Sequence, residues 1–299
     1  MISGTTTAAA AGTWTLGDRI VNRLGFGAMR LTGTGGMGRG VDRDPDRSAV
    51  VVRRAVDLGV NHIDTAGFYF SASGRANAII RDALAPYPDD LTIVTKVGPG
   101  RDLVTGEWGD WARPDQLQAH VEHNLETLGL ERLHVVNYRS SGRDDVPAAV
   151  SALAALRDEG LLDHIGLSNV GTEALAGARS MADIVCVQNR HAAGYERSDT
   201  GDVLAACREH GIAFVPFFTI AAQAREGTSE ERYDVVEAIA RAHDATPAQV
   251  RIAWNVALGD HVLAIPGTGD VAHLEQNVAA ASLRLSEADL AALGRLGSG

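Results

Sequence analysis

Lysine is almost absent from this chain. Of 27 basic side chains in 299 residues, one, Lys96, is a lysine and the others are arginines. The excess of Ala, Gly and Arg implies a GC-rich genome in which arginine has replaced lysine wherever either serves. Lys96 persists at the end of the apolar run Leu91-Thr92-Ile93-Val94-Thr95. A compact ammonium on a thin stem enters tight polar pockets that exclude a flat guanidinium, and it can tune a neighbour's proton affinity. Cysteine is scarce too. Cys186 and Cys207 fall in a strand-like and a helix-like run, which excludes a disulfide framework and offers no metal-ligand spacing. No apolar run approaches the roughly 20 residues of a membrane-spanning helix. Cationic surface is also lacking: a net charge of −11 argues against nucleic-acid or anionic-membrane partners. Residues 1–12 lack the basic start and apolar core of a secretory leader and read as a flexible N-terminal tail. A cytoplasmic location is the expectation.

What the chain does have is alternation. Hydrophobic residues make up 45% of it, ample for a large core. Residues 14–21 read as a hairpin turning at Gly17-Asp18. Strands are then expected at 24–29, 60–65, 91–97, 133–138, 163–167, 184–188, 212–217 and 262–265. Helices are expected from about Asp46, and at 75–84, 114–128, 146–159, 172–179, 202–210, 229–255 and 271–280, with a trailing helix at 287–296. Strands as apolar as 212–217 are covered on both faces, as in parallel sheets. Eight βα units without a composition break predict an α/β fold of one domain, residues 13–299: a (β/α)8 TIM barrel with an N-terminal β-hairpin and a C-terminal helix. A doubly wound dinucleotide fold would carry Gly-x-Gly-x-x-Gly after its first strand. Gly25-Phe26-Gly27 is instead followed by Ala28-Met29-Arg30.

Chemistry in such a barrel belongs at the carboxyl ends of strands. Asp64 ends the second strand, Tyr69 follows five residues later, and Lys96 ends the third. A phenol is a poor acid at neutral pH. An ammonium beside it stabilises the phenolate, and a carboxylate holds the ammonium in place. Such a tyrosine can hand its proton to a carbonyl oxygen while a nucleophile attacks the carbon. A structural ion pair beside an aromatic is the alternative. His62 shares strand parity with Asp64 and reads as a satisfied interior histidine. His134 and the remaining histidines lack ligand spacing.

Asp64-Thr65-Ala66-Gly67-Phe68-Tyr69, Thr95-Lys96, Gly166-Leu167-Ser168-Asn169, Val187-Gln188-Asn189 and Ile265-Pro266-Gly267-Thr268 together resemble successive signature segments of the aldo-keto reductases. The resemblance spans residues 14–296. It implies a barrel that binds NADP(H) across its mouth and reduces carbonyls without metal. It further implies Asp64, Tyr69 and Lys96 as three of four catalytic groups. Ser168, Asn169 and Gln188 would hold the nicotinamide carboxamide, and Phe217 would stack on its ring. Gly27, Met29, Gly267 and Thr268 would line the cofactor, and Gln276 and Asn277 would take the adenine.

Two departures from the family pattern matter. Arg139 stands where the family has a histidine, so either a second cation joins the catalytic centre or Arg139 turns away to pair with Asp144 or Asp145. In the first case the activity optimum moves to lower pH and an anionic carbonyl substrate is favoured. His273 stands where many members carry arginine, and Asp270 adds a negative charge to the expected 2′-phosphate site. Discrimination between NADP(H) and NAD(H) should then be weak. The altered fourth group leaves reduction of a conjugated C=C open, and a nucleotide-sensing interaction subunit is a further alternative. Substrate choice falls to loops 32–40, 98–113 and 221–229. In the second of these, Trp108 and Trp111 either wall the substrate or cap the loop.

Overall fold

The computed structural model describes residues 6–34, 41–102, 104–193, 195–196, 200–220 and 230–297. The parts of loops 32–40 and 221–229 that fall outside these ranges, and Leu103, are therefore not described. An antiparallel hairpin opens the fold, β1 (Thr13–Leu16) and β2 (Arg19–Asn22). Parallel strands follow: β3 (Phe26–Gly27), β4 (His62–Asp64), β7 (Thr92–Val97), β8 (Leu133–Arg139), β9 (Leu162–Ser168), β10 (Ile184–Gln188) and β13 (Ala213–Phe214). Each pairs with the next in that order. Short two-stranded ribbons, β5 (Phe70–Ser71) with β6 (Gly74–Arg75) and β11 (His191–Ala192) with β12 (Tyr195–Glu196), decorate the loops.

Closure comes from residues 261–264, which form bridges rather than a ladder. Phe214 N donates to His261 O at 2.8 Å and Leu263 N to Phe214 O at 2.9 Å. On the other side Gly25 N donates to Ala264 O at 2.8 Å and Ala264 N to Arg23 O at 2.9 Å. The eighth strand therefore joins β13 to the first strand, as an eight-stranded barrel requires. Gly27 and Gly267 sit at this seam. A Cβ on Gly27 would lie 2.7 Å from Ile265 O, and one on Gly267 would lie 2.5 Å from Gly27 O. Close strand approach at the seam leaves no room for a side chain at either position.

Helices α1 (Pro45–Asp57), α2 (Ala76–Leu84), α3 (Leu117–Leu128), α4 (Val146–Asp158), α5 (Thr172–Arg179), α6 (Thr200–Glu209), α7 (Glu230–Ala242), α8 (Pro247–Ala257) and α9 (Val271–Ala279) alternate with the strands, and α10 (Glu287–Gly294) trails them. Their starts are chemically marked. Asp145 Oδ1 accepts from Ala148 N at 3.1 Å to cap α4. Val146, Ala149, Val150, Leu153 and Leu156 then bury one stripe of that helix against the barrel. The hairpin plugs the barrel's amino end: Leu16 and Val21 pack with Val94, Val135, Ala213 and Leu263 in the interior.

The structure corrects several boundaries. The expected helix 229–255 is two helices, because Thr246 caps a fresh start at Pro247, with Gln249 closing a capping box. Residue Ser229 lies outside the described range. Ladder pairing in the seventh strand covers only Ala213–Phe214, and Ala28–Thr32 is a 3-10 turn rather than strand, so Met29 packs on the core. The N-terminal tail is shorter than expected. Ala8–Ala11 form a 3-10 turn, Ala8 N donates to Leu58 O at 2.9 Å, and Ala8 is fully buried. Residues 1–5 are outside the described range.

Candidate active site

Strand parity carries Asp64 and Lys96 into the barrel mouth. Lys96 Nζ lies 2.6 Å from Asp64 Oδ1 and 2.7 Å from Oδ2, and donates to Thr65 O at 3.0 Å. All three ammonium donors are satisfied, and Lys96 is 2% exposed. Gln188 Nε2 donates to Asp64 Oδ2 at 2.8 Å, so the carboxylate is held from two strands. The Tyr69 ring lies beside the ammonium, its centroid 5.1 Å from Nζ. Tyr69 N donates to Ala66 O at 3.0 Å and its carbonyl accepts from Ala76 N at 2.9 Å. Behind the pair, Thr65 Oγ1 bonds Asn77, Asn77 bonds Asn124, and Thr95 Oγ1 bonds Asn124. This buried amide chain fixes both strand ends from outside the barrel.

Across the mouth, Arg139, Ser168 and Gln188 stand level in the sheet, since Ser168 is in register with both of the others. Arg139 Nη1 donates to Ser168 Oγ at 3.3 Å, and its guanidinium lies 5.2 Å from the Phe217 ring centroid. Asp144 is engaged by Tyr138, Ser140 and Ser141 instead, and Asp145 caps α4. Arg139 therefore does not turn away to either aspartate. Trp111 Nε1 donates to Arg139 O at 2.8 Å, anchoring loop 98–113 to the end of β8. Asn169 takes a left-handed φ of 63°, and its amide donates to Ser140 O at 2.9 Å.

The loop after the eighth strand leads into α9. Asp270 caps that helix, accepting from His273 N at 3.0 Å, while Thr268 Oγ1 accepts from Asp270 N at 3.1 Å. The His273 backbone bond, aided by the nearby His273 and Arg43 charges, holds the Asp270 carboxyl below the ordinary aspartate range. Gln276 is exposed and Asn277 is buried at 4%, so neighbours in sequence occupy different faces of α9.

The profile of the Aldo/keto reductase family matches residues 23–297. The chain belongs to the aldo-keto reductase family. A pyridoxine 4-dehydrogenase of Escherichia coli is 42% identical over 294 residues, covering 95% of this chain and 98% of that protein. A thermostable aldo-keto reductase crystallised with the inhibitor epalrestat superposes with TM-score 0.80 at 28% identity, covering 95% of this chain and 99% of the other. An aldo/keto reductase from Klebsiella pneumoniae, crystallised with NADP and acetate, superposes with TM-score 0.75 at 25% identity, covering 95% and 94%.

Among aldo-keto reductase features expected from the sequence, the fold brings Asp64, Tyr69 and Lys96 together, and Arg139, Ser168 and Gln188 beside them. Gly27 ends β3 and faces Gly267 at the seam, and Met29 follows in the 3-10 turn Ala28–Thr32, partly buried against the core. His62 is interior, as its parity implies, though neither ring nitrogen makes a hydrogen bond of good geometry to the described residues. His134 is structural: its Nδ1 accepts from Ile93 N at 3.1 Å. Sequence reasoning misses Arg43 altogether. Arg43 Nη1 donates to Gly269 O at 2.7 Å, and a Cβ on Gly269 would meet Arg43 Nε at 2.2 Å. A cation from the loop before α1 thus reaches the α9 entrance across 226 residues of sequence. No local pattern announces a guanidinium whose partner is a distant carbonyl. Cys186 and Cys207 are buried free thiols, and no metal cluster occurs among the described residues.

Proposed function

We propose that this aldo-keto reductase interconverts a carbonyl and its alcohol with NADP(H), Tyr69 serving as proton donor in the reducing direction. The buried Asp64–Lys96 pair beside Tyr69 carries the reading, because burying the sole lysine against a carboxylate at a strand end costs desolvation that a merely structural residue would avoid. A nicotinamide cofactor supplies the hydride when bound. The residues present fit one: Gln188 Oε1 is buried with no partner among the described residues, an acceptor suited to a carboxamide N–H. Ser168, Asn169, Gln188 and Phe217 would hold the nicotinamide. Thr268, His273, Gln276 and Asn277 would hold the adenosine end, with the Asp270 carboxylate at the start of α9 beside its 2′-phosphate.

Lys96 holds positive charge beside the phenol through the reaction, Asp64 keeps the ammonium in place, and Tyr69 moves the proton at its hydroxyl. Trp108 packs edge-on against Phe68, and Trp111 ties loop 98–113 to the end of β8, so this loop borders the mouth beside Tyr69. Arg139 would face a carboxylate, phenolate or other anionic group near the reacting carbon. The likeness to a pyridoxine 4-dehydrogenase supports pyridoxine and its 4-aldehyde as the first substrate pair to assay. Loss of reduced-cofactor absorbance on adding aldehydes tests the reading. Tight NADPH binding with no oxidation by any carbonyl would favour a nucleotide sensor.

Arg139→Ala should lower kcat/KM for a carboxylated carbonyl at least about 10-fold more than for a neutral one, the scale of one charged hydrogen bond. Arg139→His should move the activity optimum to higher pH. Unchanged ranking and unchanged pH profiles in both variants would place Arg139 outside the mechanism.

Asp270→Ser should raise NADPH affinity more than NADH affinity, several-fold by removing one like charge from the 2′-phosphate site. Serine keeps the helix cap, so α9 should stay intact. Titration of both cofactors against both proteins decides it, and an unchanged ratio would exclude Asp270 from that contact.

A further inference from the structure

Tyr69 lies in an irregular segment between β4 and the β5–β6 ribbon, and both of its neighbours aim their carbonyls at one guanidinium. Arg101 Nη1 donates to Phe68 O and to Phe70 O, each at 2.8 Å. Its Nε donates to Gly106 O at 3.0 Å. The guanidinium lies 3.7 Å from the Phe70 ring centroid and 5.4 Å from that of Trp108. Trp108 meets Phe68 edge-on at 5.9 Å, and Phe68 meets Tyr69 the same way at 5.1 Å. Arg101 and Trp108 are bridged antiparallel, so the loop after β7 closes on itself as it closes over this segment.

Arg101 is 9% exposed, and no carboxylate pairs with it among the described residues. A buried guanidinium without an anion costs free energy that only its hydrogen bonds and ring contacts offset. Its acceptors are the carbonyls on either side of Tyr69. With Tyr69 N bonded to Ala66 O and Tyr69 O to Ala76 N, every peptide plane around the tyrosine is then held. We propose that Arg101 is the positioning residue for Tyr69, coupling loop 98–113 to the direction of the phenol against Lys96. The inference rests on the proposed role of Tyr69 as proton donor.

A double-mutant cycle tests it with full-length protein. Arg101→Met keeps the stem and loses the donors, and Arg101→Lys keeps charge but loses the Gly106 bond and the flat contact with Phe70. Each is made with Tyr69 and with Tyr69→Phe, and kcat, KM, NADPH binding by fluorescence and Tm are measured. Arg101→Met should lower kcat at least about 10-fold, because misplacing a reacting group by about 1 Å can cost 10²-fold. NADPH binding should stay within about twofold, and Arg101→Lys should recover part of the loss. In the Tyr69→Phe background the same substitution should leave the residual rate nearly unchanged, since the hydroxyl being positioned is gone. Low activity of Tyr69→Phe with equal fold-losses from Arg101→Met in both backgrounds would overturn the inference alone. Full activity of Tyr69→Phe would overturn the proton-donor reading and this inference with it. Should Arg101→Met not fold, Arg101→Lys carries the same comparison.

Discussion

Tyr69→Phe should lower turnover at least about 100-fold in carbonyl reduction, within the range that general acid catalysis contributes. The ring stays, its contact with Phe68 stays, and only the hydroxyl is lost. NADPH affinity should therefore hold. Lys96→Met should be as damaging to turnover and should also weaken the fold. Asp64, 4% exposed, would keep Gln188 as a partner but lose the ammonium lying 2.6 Å away. Removing one member of a buried ion pair costs about 3–5 kcal/mol. Steady-state kinetics with cofactor titration and urea denaturation separates the two variants. Near-full reduction by Tyr69→Phe at neutral pH would remove it as proton donor.

Acid should destabilise the protein as pH falls from about 6.5 toward about 4, before most carboxylates titrate. Burial pushes His62 down to about 4, outweighing an opposing pull from the Asn22 backbone. Burial likewise pushes His191 down to about 4; its ring stacks on Trp254 at 5.2 Å, and neither nitrogen has a partner among the described residues. A histidine with a depressed folded value is neutral in the fold, and the unfolded chain takes up the proton first. Its stability is fully present above about 6.5 and is lost as pH falls toward about 4. Linkage gives about 2 kcal/mol lost per histidine by pH 5 and about 3 by pH 4. His120, His123, His134 and His261 are shifted the same way by burial. Urea midpoints from pH 7.5 to 4.5 should fall steeply, and His191→Phe, which keeps a ring against Trp254, should flatten the fall. An unchanged slope in that variant would show that His191 is protonated or solvated in the native state.

How the site was legible depends on which interactions were local. Lys96 stands out as the sole lysine of the chain, and the structure places it in a strand, β7, whose six residues are all buried. Asp64 followed from parity in a strand whose alternate residues face the interior. The break between α7 and α8 was written in Thr246-Pro247 with Gln249, yet continuous helical periodicity on both sides concealed it. The short pairing of β13 had no local sign, because its apolar run continues past the ladder to Val215.

Arg139 shows the boundary most plainly. The sequence placed an always-charged fork at the end of the fourth strand, next to two aspartates in the following turn. Which way it points was decided elsewhere: Tyr138, Ser140 and Ser141 occupy Asp144, and α4 occupies Asp145. Arg43 and Arg101 go further, since both donate to backbone carbonyls, which every residue possesses and no sequence pattern marks. The sequence by itself determined the strand–helix alternation, the interior parity of Asp64 and Lys96, and the ordered family segments. These depend on the 2.0 and 3.6 residue periods of the backbone and on residue type. Tertiary structure alone decided the seam at Gly27 and Gly267, the direction of Arg139, and the guanidinium holding the carbonyls beside Tyr69. Those follow from close packing of strands and loops far apart in the chain, where the geometry of approach selects the partner.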